Sequence, residues 1–116
     1  MIIVVEGTKA FDNYDVFMRA MGVALSIDNV DSDIQIWSIG PHKINSFTAS
    51  FCNSSENFLK QKGYRIKFSK VRVDWVIQYL DHVNYFAFFS MPNESVSRLT
   101  KMAQEIESCE VGIFRY

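Results

Sequence analysis

The chain alternates short apolar runs with segments of helical periodicity, and this alternation restricts its fold more than any other feature. The first run, Ile2 to Val5, is an unbroken β-branched stretch of the kind found in strands that are covered on both faces. Further apolar runs predict strands at residues 34–39, 64–68, 83–90 and 111–116. Helical spacing separates them, at residues 13–26, from 44 to the glycine at 63, at 73–80 and at 93–108.

The predicted order is β-α-β-α-β-(α)-β-α-β within 116 residues. Strands that alternate with helices in a chain this short imply right-handed crossovers and a mostly parallel sheet. The sequence therefore predicts one domain over residues 1–116: a small, Rossmann-like α/β domain with a mostly parallel five-stranded sheet and helices on both faces. Ligands of such sheets bind at the carboxyl ends of the strands, so the strand-to-helix loops are the expected place for a site.

The same spacing predicts which apolar side chains face the core. In the second helix they are Ile44, Phe47, Phe51, Phe58 and Leu59. In the short third helix they are Val73, Val76, Ile77 and Leu80. Trp37 and Trp75 are predicted to be largely buried, and Cys52 and Cys109 to be buried free thiols. The aromatic residues around the fourth strand are interpreted as packing residues rather than a base-stacking platform.

Composition excludes several classes of protein. The chain is 48% hydrophobic with a formal net charge of −1, which argues against disorder and against a nucleic-acid surface, whose usual footprint is a basic excess. The two cysteines and two histidines lack partners at metal spacing, so we predict no metal and no cofactor. No apolar run approaches the roughly 20 residues of a membrane span, and no basic leader precedes the first strand. A cytoplasmic protein is expected.

Three loops are predicted to leave one edge of the sheet, each before a helix N-terminus, where free N–H groups favour anions. The candidate ligand-binding residues are Gly7, Thr8 and Lys9 in the first loop, Gly40, His42, Lys43, Asn45 and Ser46 in the second, and Ser90, Asn93, Glu94 and Ser95 in the third. A small phosphate-bearing or carboxylate-bearing molecule suits these groups. The loops contain neither a dinucleotide fingerprint nor a P-loop.

Plainer interpretations of the same residues stay open. Gly7 and Gly40 also suit tight turns, and Ser46, Asn93 and Ser95 suit helix caps. His42 also suits a solvated loop.

Two carboxylates are weak catalytic candidates, Glu6 and Glu94, because a carboxylate near a sugar acts as a base or stabilises a cationic transition state. Glu94 equally suits the first turn of a helix, where an acidic side chain is favoured.

The layout resembles the SLOG superfamily, the Rossmann-like group of the Lonely guy and DprA proteins, and in particular its minimal phage and bacterial branch. In that branch a first strand ends in a Gly-x-Arg turn before an aromatic and acidic stretch, which "VVEGTKAFDNYDVF" resembles with Lys9 at the arginine position. The segments "IWSIGPHKINSFTASFCNSSENFLKQKGYRIKF" and "YFAFFSMPNESVSRLTKMAQEIESCEVGIFRY" follow the rest of the layout. The Pro-Gly-Gly-x-Gly-Thr run of the phosphoribohydrolases is absent, and Gly40 stands alone in the second loop.

The resemblance implies a nucleotide-derived ligand, such as a cyclic nucleotide or an ADP-ribose-type signal, that is bound without turnover. The expected function is sequestration of an immune signal by a homo-oligomeric phage anti-defence protein in the host cytoplasm. One alternative is an interaction module that modifies a host enzyme. Another is a nucleotide N-glycosidase or phosphoribohydrolase that uses Glu6 or Glu94.

Overall fold

A computed structural model, which describes residues 1–26 and 33–116, contains one five-stranded sheet. Its strands are β1 (Ile2–Gly7), β2 (Asp33–Ile39), β3 (Arg65–Lys70), β4 (Tyr85–Ser90) and β5 (Glu110–Arg115), in the spatial order β3-β2-β1-β4-β5. Every neighbouring pair is parallel. The Rossmann-like α/β fold predicted from the alternation of strands and helices is confirmed.

In the described parts of the connections between the strands there are four helices: α1 (Tyr14–Leu25), α2 (His42–Gln61), α3 (Val73–Gln78) and α4 (Arg98–Gln104). A 3₁₀ turn, Leu80–His82, follows α3. The side chain of Asn13 caps α1 by accepting a hydrogen bond from the amide of Val16, and Ser97 caps α4 in the same way through Thr100. Within the described residues, no helix combines the length and the apolarity that a membrane span requires.

The sheet separates two hydrophobic cores because successive side chains of a strand point to opposite faces. Ile3 and Val5 of β1 pack under α1 and α2, together with Phe17 and Phe51. Val4 points to the other face, where α3 and α4 contribute Val76 and Leu99. Helices therefore cover both faces of the sheet, and β1, which lies at its centre, is apolar without alternation.

Several burial predictions are wrong. Phe58 is 60% exposed, because it lies one residue before the inward-facing Leu59 on α2 and so points away from the sheet. On α3 the exposed fractions are 45% for Val73, 44% for Trp75 and 40% for Ile77. The six residues of α3 turn only Val76 inward, so the apolar residues around it cannot all reach the core. Trp37, Cys52 and Cys109 are buried as predicted.

The boundary of α4 is the largest difference from the predicted elements. The helix begins at Arg98 and ends at Gln104, instead of spanning 93–108. The predicted start is replaced by a turn, in which the amide of Glu94 donates to the carbonyl of Met91. The region from Met91 to Ser97 is therefore a loop between β4 and α4, which is longer than the third predicted loop and contacts the end of β1 through Glu94 and Ser97.

Candidate functional site

The three chain segments with candidate residues leave the sheet at one edge. The second is shorter than predicted, because α2 begins at His42 and the candidates from His42 to Ser46 lie in its first turns rather than in a loop. The three segments follow β1, β2 and β4, which are adjacent and parallel, so their carboxyl ends lie side by side. The chain first builds β2 and β3 on one side of β1 and then returns to build β4 and β5 on the other. The order therefore reverses between β1 and β4, and the crevice outside their carboxyl ends is where open α/β sheets bind ligands.

At this reversal, groups from both strands converge on one oxygen atom of Glu94. The hydroxyl of Thr8 donates to Oε1 of Glu94 at 2.6 Å, and the backbone amide of Met91 donates to the same atom at 2.7 Å. The amide of Thr8 donates to the carbonyl of Phe89 at 2.9 Å, which holds the ends of β1 and β4 together. The Thr8 hydroxyl and the Met91 amide lower the pKa of Glu94, so the carboxylate is ionised at neutral pH.

The carboxylate of Glu6 has the opposite environment. Glu6 lies near the end of β1, is half-buried, and accepts hydrogen bonds at Oε1 from the hydroxyls of Ser97 and, at 3.5 Å, Thr100. Burial raises the pKa of Glu6, and the two hydroxyls offset part of that effect. Ser97 also accepts from the Thr100 amide at 3.0 Å, so one serine both caps α4 and binds Glu6.

The turn between β2 and α2 lies close against the end of β1. Gly40 has a φ of +122°, and a Cβ there would lie 3.2 Å from the carbonyl oxygen of Gly7. A Cβ at Gly7 would lie 2.9 Å from Cδ1 of Ile44 and nearer still to its Cγ1. Both glycines therefore allow backbone and helix to approach closely. The turn interpretation made from the sequence agrees with Gly40 but is wrong for Gly7, which is the last residue of β1 and pairs with β4.

Asn45 belongs to a polar network rather than to the open edge. Its Oδ1 accepts from the hydroxyl of Ser38 at 2.7 Å, and Ser38 lies 3.4 Å from the hydroxyl of Thr48. Thr48 also donates to the carbonyl of Ile44 at 2.8 Å. Ser38 and Thr48 are buried, so this network joins β2 to the first turns of α2.

The remaining candidates form no hydrogen bond or ion pair with one another in the part of the chain that the structure describes. Ser90 is buried at the end of β4 and donates to the Met91 carbonyl at 3.1 Å. Lys43 forms an exposed ion pair with Asp12 at 3.1 Å. Within residues 1–26 and 33–116, the side chains of five exposed candidates form no hydrogen bond or ion pair: Lys9, His42, Ser46, Asn93 and Ser95.

The capping alternative is wrong for the residues to which it was applied. Pro41 occupies the cap position of α2, and Ser97 caps α4, so Ser46, Asn93 and Ser95 cap neither helix. Glu94 likewise precedes α4 instead of lying in its first turn. Ser97 and Thr100 were not among the predicted site residues, although a serine directly before an apolar helical run is itself a cap signal.

Comparison of the chain with protein-family models, with curated proteins and with solved structures found no match to any of them. The resemblance to the SLOG superfamily therefore stays a prediction from the sequence layout. Among the described residues, no group of three or more His, Cys, Asp or Glu side chains has the arrangement of a metal site.

Proposed function

We propose that the protein binds an anionic, nucleotide-derived small molecule at the crevice between the ends of β1 and β4, without turning it over. The observation that carries this proposal is the pair of donors on a single oxygen of Glu94, at 2.6 Å from Thr8 and 2.7 Å from Met91. Donors of this kind, a backbone amide and a hydroxyl from two adjacent strand ends, also suit an oxygen of a phosphate group.

In this proposal the carboxylate of Glu94 holds the place of the ligand's anionic group while the site is empty. A phosphate oxygen that replaces it keeps both donors satisfied and releases a charged side chain to solvent. Lys9 is exposed and forms no ion pair within the described part of the chain, so it is available to the incoming anion. The exchange favours a ligand with more than one anionic oxygen, because a second oxygen can meet Lys9.

The nucleotide part of the proposal is supported by the resemblance to the SLOG superfamily, and by the position of the crevice at the reversal of strand order. Under the same resemblance, the biological role is sequestration of a cyclic-nucleotide or ADP-ribose-type immune signal by a phage protein in its host's cytoplasm. The proposal includes self-association into a homo-oligomer.

Isothermal titration tests the site directly. Inorganic phosphate, AMP, ADP-ribose and cyclic dinucleotides are titrated into the wild type and into Thr8→Val and Thr8→Ser variants. Valine keeps the shape but removes the donor, whereas serine keeps the hydroxyl. We expect Thr8→Val to weaken binding roughly tenfold or more, as for the loss of a hydrogen bond to a charged group, and Thr8→Ser to bind nearly as the wild type does.

Glu94→Gln gives the complementary result, because it weakens the internal competitor. We expect it to tighten binding of the same ligands. If no ligand produces heat, the proposal is contradicted. If Thr8→Val and Thr8→Ser bind a ligand with equal affinity, the ligand binds somewhere other than this crevice. If the protein releases free base from nucleoside monophosphates, its function is N-glycosidase activity rather than binding alone. In that case Glu6 is the candidate proton donor, because its raised pKa favours the protonated form.

A second candidate function is favoured by the surface of α3. Val73, Trp75 and Ile77 expose 45%, 44% and 40% of their surface on one short helix. Large aromatic side chains are enriched at the cores of protein interfaces, so this helix suits contact with a host enzyme. Capture of one host protein by the wild type and by Thr8→Val, but not by Trp75→Ala, would favour this function over ligand sequestration.

A further inference from the structure

The two outer strands of the sheet differ in how their free edges are protected. On β3, the exposed cations Arg65, Lys67 and Lys70 are distributed along the strand, which is a common protection against pairing with another sheet. On β5, charges stand only at the two ends, Glu110 and Arg115, and the four residues between them are uncharged. The β5 edge therefore lacks the protection that the β3 edge has.

The hydrogen-bond register identifies which groups of β5 point outward. Glu110 donates to the carbonyl of Asn84 at 3.0 Å, and Tyr116 donates to that of Ser90 at 2.9 Å. The even-numbered residues of β5 therefore direct their amides and carbonyls toward β4. The amides and carbonyls of Val111, Ile113 and Arg115 point away from the described sheet, in the direction from which an additional strand would pair.

Apolar surface lies beside this edge on both faces of the sheet. Ile113 is 37% exposed on the α4 side, and Tyr116 is 60% exposed. On the α1 side a groove runs between α1 and the edge strand, and Arg19 is its basic residue. The groove is lined by Val16, Arg19, Ala20, Val23, Phe114 and Tyr116. If another strand paired with the β5 edge, Ile113 would be removed from water, and the groove would continue onto the sheet of the molecule that supplies that strand.

The charges at the strand ends identify the partner. Glu110 opens β5 and Arg115 closes it, with Arg19 beside the closing end. Alternation along β5 places Glu110 on the α1 side of the sheet and Arg115 on the α4 side, so the charges that meet across an antiparallel copy are Glu110 of one copy and Arg19 of the other, once at each end. A two-fold axis reproduces both contacts at once, which is the condition for an interface between identical surfaces.

We propose that two copies of the chain pair antiparallel along β5, about a two-fold axis through Ile113, and so form one continuous ten-stranded sheet. In this register Ile113 faces Ile113 of the second copy, and Val111 faces Arg115. On the α1 side Glu110 of the second copy faces Tyr116 and approaches Arg19. All outward amides and carbonyls of Val111, Ile113 and Arg115 then have partners. The inference specifies the surface of the self-association proposed above and does not depend on ligand binding.

The test is the mass of the particle in solution, measured by sedimentation equilibrium and by light scattering over a wide concentration series. We expect the wild type to be a dimer. Ile113→Lys places two like charges opposite each other at the axis and weakens the dimer at least about tenfold. The matched control is Val73→Lys, which adds the same charge at a residue of similar exposure on α3 and leaves the dimer unchanged.

Ile113→Pro is a second variant that separates lost pairing from lost folding. It removes an amide that points away from β4, and proline is tolerated on an edge strand where the missing N–H would face solvent. We expect it to be monomeric with the wild-type circular dichroism spectrum. A monomeric wild type overturns both the self-association and the β5 interface. A wild-type dimer that persists in both Ile113 variants overturns the interface alone, and titration of ligands into each species tests the binding site separately.

Discussion

Glu6 and Glu94 show how two residues of one type acquire opposite properties at the same edge of the sheet. Glu6 is half-buried, and its burial raises its pKa. Glu94 lies in the loop after β4, where the Thr8 hydroxyl and the Met91 amide lower its pKa. The two carboxylates therefore make opposite contributions to stability as the pH changes.

Replacing Glu6 with Gln removes the charge and keeps an oxygen that accepts from Ser97. Because burial raises the pKa of Glu6 above its ordinary value, the carboxyl lowers the stability of the folded wild type at pH 7, so we expect Glu6→Gln to unfold at a higher temperature. As the pH falls through the raised pKa, the wild-type carboxyl becomes protonated in the folded state and this destabilisation disappears. The two proteins should then converge in thermal melts recorded between neutral and acidic pH.

Glu94→Gln is the matched variant with the opposite sign. The lowered pKa means that ionised Glu94 stabilises the folded state at neutral pH, and that this stabilisation is lost as the pH falls through the folded-state pKa. Glu94→Gln should therefore melt below the wild type at pH 7 and approach it in acid. If both variants shift in the same direction at pH 7, the opposite environments of the two carboxylates are contradicted.

At the residue scale, the sequence indicated the right edge of the sheet but not the partners within it. Thr8 and Glu94 were candidates, but their contact joins residues that are 86 positions apart, and no local pattern reports such a distance. Asn45 was interpreted as facing a ligand, yet it accepts a hydrogen bond from Ser38, a buried residue of β2. The bond between Ser97 and Glu6 joins residues 91 positions apart, so the local cap signal of Ser97 does not indicate it.

At the scale of elements, the junction between β1 and α2 depends on the absence of a side chain at Gly7. A Cβ there would approach Cγ1 and Cδ1 of Ile44, which is only 2% exposed and has little freedom to move. We expect Gly7→Ala to lower the free energy of unfolding by about 1–3 kcal/mol, measured by urea denaturation.

Gly22 provides the control for the same substitution. It lies inside α1, and a Cβ there would meet no atom within 4 Å. Alanine is favoured over glycine in a helix interior, so Gly22→Ala should raise the free energy of unfolding by about 0.5–1 kcal/mol. Equal effects of the two substitutions would show that the contact with Ile44 does not limit the junction.

The element boundaries that the sequence predicted well have local causes. The helical spacing at residues 13–26 agrees with α1 to within one residue at each end, because the capping that fixes these ends is decided by neighbouring residues. β1 extends two residues past its predicted end, since Glu6 and Gly7 pair with β4 in spite of their poor strand propensity. The late start of α4 also has a tertiary cause, because Glu94 is held in the turn by Thr8.

At the scale of the whole molecule, one thiol lies in each of the two cores. Cys52 packs on the α1 and α2 side of the sheet, and Cys109 packs on the α3 and α4 side. Burial raises the pKa of each thiol to about 11, and the thiolate is the reactive form. We expect iodoacetamide at neutral pH to label the native protein at least about a hundredfold more slowly than the denatured protein.

Mass spectrometry of peptides from a urea series then reports each core separately. Because both cores share the same five strands, Cys52 and Cys109 should become reactive over the same range of urea. Labelling of one cysteine at a clearly lower urea concentration would mean that one layer of helices detaches before the sheet unfolds.

The overall architecture was predictable because it depends on the order of elements rather than on individual contacts. Alternating strands and helices leave few topologies once crossovers are short and right-handed, and the parallel sheet followed from that restriction. The exposed apolar residues of α3 were not predictable in the same way. Helical spacing predicts a face but does not indicate how much of a six-residue helix the sheet covers.

The position of β1 at the centre of the sheet affects how the molecule is made. β1 is synthesised first, yet its neighbours are β2, which begins at Asp33, and β4, which ends at Ser90. The apolar strand β1 can therefore pair along both edges only after residues up to Ser90 have emerged from the ribosome. A ribosome that stalls before residue 90 therefore leaves one edge of this apolar strand unpaired, and unpaired strand edges promote aggregation.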